Sequence, residues 1–185
     1  MRLYIGLVHY PVYNKNYKII ASAISTWDLH DIARAARTYD VSRFLVITPL
    51  EDQQILAEKV KRHWTEGYGA KYNIHRKEAI ELVSVVSSLS LAMDAISKIE
   101  GKRPLLIATD ASEWKGKSIS FKETRDIILD DRVAFLIFGT AWGLDNEILD
   151  LADYVLEPIS GRKTYNHLSV RSAVAIILDR VAGRY

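Results

Sequence analysis

The chain of 185 residues has no cysteine, is 49% hydrophobic and 26% charged, and carries a formal net charge of +2. A chain of this length buries roughly 70% of its unfolded surface in one soluble domain, with no need of a disulfide or structural metal. The composition excludes thiol nucleophiles and thiolate zinc sites, fits a reducing cytoplasm, and creates no overall field that would attract nucleic acid or a membrane.

In chain order, Leu3 to Val8 is a short apolar run of β formers, too short for a signal h-region or for a membrane span of about 20 residues. Neither export nor membrane insertion is expected. Tyr10 to Thr26 is irregular, with Ile19 to Ile24 as an extra short strand. Ser25 and Asp28 have capping-box spacing, and Leu29, Ile32, Ala36 and Tyr39 share one side of a helix expected over Asp28 to Tyr39. A strand over Arg43 to Ile47 and a helix over Glu51 to Trp64 follow, and then one long helix over Lys77 to Ile99. Pro104 to Ala108, Val133 to Phe138 and Tyr154 to Leu156 read as strands, and Leu168 to Ala182 as a final helix stopped by Gly183. Continuous apolar runs mark strands buried on both faces, and the helices are long enough for crossovers. The fold class is therefore α/β, a mostly parallel sheet flanked by helices, in one domain over 1–185. The final helix is apolar nearly all round, which fits either burial in its own domain or cover by a second subunit.

Common ligand motifs fail. Gly67 and Gly69 begin a G-x-G, but Tyr72 holds the third glycine position, and Ala111 stands where a P-loop ending in Gly116-Lys117-Ser118 needs glycine. No histidine pair has i, i+4 spacing, no serine sits in a G-x-S-x-G elbow, and Asp28, His30 and Asp31 diverge around a helix, so no metal site is expected. Two loops after strands carry the signal: Phe138-Gly139-Thr140-Ala141-Trp142-Gly143-Leu144, whose glycines permit close backbone approach to a ligand, and the polar stretch Leu156 to Ser169 before an apolar helix. Asn166 or Ser169 would cap that helix.

With these loops, the helix Asp28 to Val41 and the N-terminal His9-Tyr10-Pro11-Val12-Tyr13-Asn14-Lys15, nearly the whole chain resembles the SPOUT superfamily of S-adenosylmethionine-dependent RNA methyltransferases, specifically its small stand-alone bacterial subfamily. Arg34 takes the place of the arginine in the first motif, Phe138 to Leu144 resembles the second motif, and Leu156 to Asp179 resembles the third. The resemblance implies a C-terminal trefoil knot, a homodimer with the last helix at its interface, and a tRNA or rRNA substrate. It also implies S-adenosyl-L-methionine held by Thr109, Phe138, Gly139, Trp142, Gly143, Leu156, Ile159, Gly161, Asn166, Leu168 and Ser169. Many relatives that methylate ribose carry glutamate where this chain has Ala141 and asparagine where it has His167, so ribose oxygen and base nitrogen both stay open as the methylated atom.

Methyl transfer from a sulfonium is an in-line displacement that needs positioning and removal of one proton. The catalytic candidates are Arg34 and His167. A guanidinium is a poor base, so Arg34 is expected to position phosphate or acceptor, on a polar strip with His30 and Arg37. Imidazole is the better proton acceptor, which nominates His167. Lys59, Lys61, Arg62 and His63 suit a helix C-terminus with or without RNA. The alternative is a catalytically weak RNA- or cofactor-binding module of the same fold. A nucleotide-binding α/β protein unrelated to methylation is a third reading, weakened by the failed phosphate loops.

Overall fold

The computed structural model describes residues 1–114, 116–163 and 165–184, so Thr164 of the third-motif loop lies outside the described residues. Seven strands form one parallel sheet: β1 (Leu3–Val8), β4 (Arg43–Ile47), β5 (Val83–Val86), β6 (Leu105–Thr109), β7 (Ser118–Ile119), β8 (Ala134–Gly139) and β9 (Tyr154–Leu156). Their order is β5-β4-β1-β8-β6-β9-β7. A separate antiparallel hairpin joins β2 (Val12–Tyr13) to β3 (Ile19–Ile20). The fold class read from the sequence is the one observed.

Successive strand residues point to opposite faces, and in β1 both sets are apolar. Leu3, Ile5 and Leu7 join one buried cluster, Tyr4 and Val8 the other. The first cluster takes in α1 (Thr26–Thr38), α4 (Ile74–Ile80), α6 (Phe121–Leu129) and α8 (Val170–Ala182). The second is closed by α5 (Leu89–Glu100) and α7 (Asn146–Leu151). Helix α2 (Glu51–Thr65) adds the fully buried Ala57 to the first cluster, with Val60 and Trp64 packed against it, and α3 (Tyr68–Tyr72) contributes to neither cluster.

Two expectations need correction. The single helix over Lys77 to Ile99 is instead α4, β5 and α5, because Val83 to Val86 pairs with β4 and Ser88 caps a new helix by accepting a bond from Leu91 N–H. Ser25 stands at the N-cap of α1 but its side chain makes no capping bond, and Asp28 receives Arg171 instead. The complete capping box belongs to α6, where Ser120 and Glu123 satisfy each other's backbone N–H groups. As for α8, it packs between α1 and α6 and buries Val174, Ile177, Leu178 and Val181, while Ala175 stays exposed.

Candidate functional site

A cleft of about 1250 Å³ opens at the carboxyl ends of the central strands. Parallel α/β sheets place ligands there because the loops beyond the strands diverge. Three loops form its walls: Asp110 to Trp114 after β6, Thr140 to Leu144 after β8, and the stretch from Glu157 to α8 after β9. The β8 loop folds back on itself. A Cβ on Gly139 would lie 2.7 Å from Leu144 N, so only glycine fits, and Gly143 adopts a φ of +105°. Gly143 N–H donates to Thr140 O at 3.0 Å, while Trp142 N–H donates to Tyr13 O at 2.9 Å and Tyr13 N–H to Gly143 O at 3.0 Å. The loop is thus hydrogen-bonded to the β2–β3 hairpin.

Most of the nominated residues meet at this cleft. Thr109, Phe138, Gly139, Trp142, Gly143, Ile159, Asn166, Leu168 and Ser169 line it, as does His167. Asn166 Nδ2 donates to Ala111 O at 2.9 Å and ties the β9 loop to the β6 loop, while Ser169 is the N-cap of α8. Two nominees lie elsewhere. Leu156 is buried in β9, in register with Thr109 and Ile119, and belongs to the apolar core. Gly161 is exposed and outside the cleft lining.

Arg34 is exposed on α1 and does not reach the cleft of its own chain. The strip it was expected to share is packed over at the His30 end and ion-paired, but exposed, at the Arg37 end. His30 packs edge-on against Trp64 at 5.4 Å, where burial first and then Arg76 lower its pKa, and Arg37 pairs with Glu78 at 3.6 Å. Of the tryptophans, Trp114 and Trp142 line the cleft, Trp64 carries Arg76 over its ring, and Trp27 is exposed rather than packed.

Sequence reasoning missed the carboxylates of the cleft and a buried histidine beside it. Asp28, Asp110, Glu113 and Glu157 all line the cavity. Burial pushes the Asp28 carboxyl up while Arg171, at 3.1 Å, opposes the shift, and the same guanidinium reaches Asp31 at 3.5 Å. At the end of β1, His9 is fully buried with Nδ1 2.8 Å from Ser22 Oγ, which lies 2.6 Å from Thr140 Oγ1. Thr140 Oγ1 is 3.0 Å from Val8 O and must donate to that carbonyl. Ser22 therefore donates to Thr140 and His9 Nδ1–H to Ser22, leaving serine and threonine lone pairs for a ligand at the cleft wall. A polar residue directly after an all-apolar strand was the available signal for His9.

This donor set fits an adenosyl sulfonium: apolar walls for the adenosine from Phe138, Ile159 and Leu168, carboxylates of the right sign for a cation, and a glycine turn that admits close approach. Fold and cleft together define an α/β protein with an open cleft among the loops beyond β6, β8 and β9. A family model for SAM-dependent RNA methyltransferase matches residues 2–183, and the chain belongs to that family. It is 39% identical over 183 residues to an uncharacterized protein of Aquifex aeolicus, covering 98% of this chain and 89% of the relative. It is also 42% identical over 181 residues to a tRNA (guanine-N(1)-)-methyltransferase of Oleidesulfovibrio alaskensis, covering 98% of this chain but 42% of that protein. The chain thus spans less than half of that relative. The SpoU methyltransferase AviRb from Streptomyces viridochromogenes superposes with a TM-score of 0.61 at 18% identity, over 97% of this chain and 58% of that one, a likeness of fold.

Proposed function

We propose that the chain transfers a methyl group from S-adenosylmethionine to a ribose oxygen or base nitrogen of a structured RNA, tRNA or rRNA, as a cytoplasmic homodimer joined through α8. The observation that carries this reading is the coincidence of the family match over 2–183 with a cleft built from the loops after β6, β8 and β9. When bound, the cofactor supplies an electrophilic methyl group. Phe138, Ile159 and Leu168 would hold its adenosine, the Gly139 to Gly143 turn and Thr109 would set its depth, and Asn166 would fix the β9 loop over it.

His167 lies at the cleft on the loop before α8, with Tyr165 edge-on at 5.3 Å, and is the proton acceptor of this proposal. Arg34 contacts the RNA from outside the cleft of its own chain, and α1 packs beside α8, so a dimer through α8 brings Arg34 near the twofold axis. The proposal includes trefoil threading of the C-terminal segment. It is supported by the seating of β9 between β6 and β7 and by the return of α8 to α1 and α6.

The test is incubation of the purified chain with methyl-labelled S-adenosylmethionine and bulk RNA from cells that lack the protein. Label should enter RNA in one size class, and digestion then identifies the nucleoside. Cofactor binding without any transfer would overturn the enzymatic reading in favour of a binding module.

A further inference from the structure

The β2–β3 turn and the β8 loop share an uncommon backbone feature. Tyr17 has a φ of +55° and Ala141, which precedes Trp142, a φ of +53°. Left-handed geometry is disfavoured for a residue with a side chain and persists only where the surroundings hold it. At Tyr17 the surroundings are explicit. Asn14 Oδ1 accepts from Asn16 N at 2.8 Å and Lys18 N at 3.1 Å, while Asn14 O accepts from Tyr17 N at 2.9 Å.

The strained turn does not serve burial. Tyr17 is 75% exposed and Trp142 61% exposed, yet both residues line the cleft. Tyr13 links them, with its ring 5.9 Å from that of Tyr17 and its backbone paired to Trp142. Lys15 and Lys18 flank Tyr17, both exposed and, among the described residues, in no ion pair. Charge is therefore divided: cations on the hairpin at the rim, carboxylates inside. A polyanion would meet the rim and be repelled from the interior, whereas a neutral planar ring could pass both.

We propose that the Tyr17 and Trp142 rings form a stacking platform for an unpaired base of the RNA acceptor, with Lys15 and Lys18 at the neighbouring phosphates. The platform rests on the RNA methyltransferase reading and narrows its substrate to single-stranded or looped RNA. Aromatic rings stack on every base and are sequence-tolerant, while bases inside a duplex already stack on one another and offer no free face.

The experiment measures fluorescence anisotropy of a labelled short oligouridylate and of a labelled RNA duplex of the same length, using the full chain. The wild type should prefer the single strand. Tyr17→Ala and Trp142→Ala should each weaken single-strand binding by about fivefold to a hundredfold, and Tyr17→Phe and Trp142→Phe should stay within about twofold. Replacing both Lys15 and Lys18 by Gln should flatten the slope of log affinity against log salt by about 1.4. Because the rings are exposed, thermal midpoints of the variants should match the wild type. Equal binding of duplex and single strand, or alanine variants that bind like the wild type, would overturn the platform. Calorimetry of wild-type protein with S-adenosylhomocysteine separates the two ideas: loss of strand preference with that ligand still bound removes only the platform, whereas no binding of that ligand removes the methyltransferase reading.

Discussion

The two halves of the sheet share direction and register but end differently. Beyond β4 the chain passes through Thr48 to Leu50 into α2, and beyond β5 through Ser87 and Ser88 into α5. These short connections are satisfied internally: Thr48 N–H donates to Val86 O, its carbonyl accepts from Gln54 Nε2 at 2.7 Å, and Ser88 caps α5. Beyond β6, β8 and β9 the chain instead takes longer loops, with polar groups and carboxylates turned into a common cavity. One parallel sheet thus supports closed packing at one side and an open cleft, the candidate site, at the other, and loop length makes the difference.

Substitutions on the two sides should have different consequences. The largest expected effect is on the packed side. Phe44 is fully buried in β4, and Phe44→Ala should cost about 3–5 kcal/mol in denaturant unfolding while the surviving folded protein binds S-adenosylhomocysteine normally. Next is the pH dependence of the His9 site between the halves. Burial lowers this imidazole from 6.5 to about 4, so the folded protein binds fewer protons than the unfolded chain across that window. Its contribution is complete above pH 6.5 and is lost as pH falls toward 4, by up to about 3 kcal/mol. His9→Asn, which can still donate to Ser22 but does not titrate, should flatten the stability profile over that range.

On the ligand side, Gly139→Ala places a Cβ against backbone at 2.7 Å, with a stability cost of about 1–3 kcal/mol. Its affinity for S-adenosylhomocysteine should fall at least about tenfold by calorimetry. The smallest effect is at the α6 capping box, where Ser120→Ala should lower the unfolding free energy by about 1 kcal/mol and leave ligand affinity unchanged.

How much of this was legible follows the same division. The buried strands announced themselves as apolar runs, and Tyr154–Leu156 was bounded to the residue. Strand β5 was hidden because Val83 to Val86 is short, only Val83 is fully buried, and the flanking helical patterns merge across it; Ser87-Ser88 was the break to notice. The glycine loop and the β9 loop stood out because polar, glycine-bearing stretches after apolar strands are unusual. Their lining was harder to assign, since Leu156 faces core and Gly161 faces solvent for reasons of strand phase and loop path that spacing does not encode. Arg34 illustrates the same point: a helical strip can be recognised as polar, but not that Trp64 of α2 packs on His30 and Glu78 of α4 pairs with Arg37. The Asp28–Arg171 pair joins residues far apart in sequence, and no local signal announces it.

Amide hydrogen exchange with and without S-adenosylmethionine would map where the cofactor binds. Protection should rise at Asp110 to Trp114, Gly139 to Leu144 and in the described residues from Glu157 to Ser169, and stay unchanged at Thr48 to Leu50 and Ser87 to Ser88. Protection confined to the β4 and β5 turns, or none at ligand concentrations that saturate binding, would contradict a cofactor site in the loops beyond β6, β8 and β9.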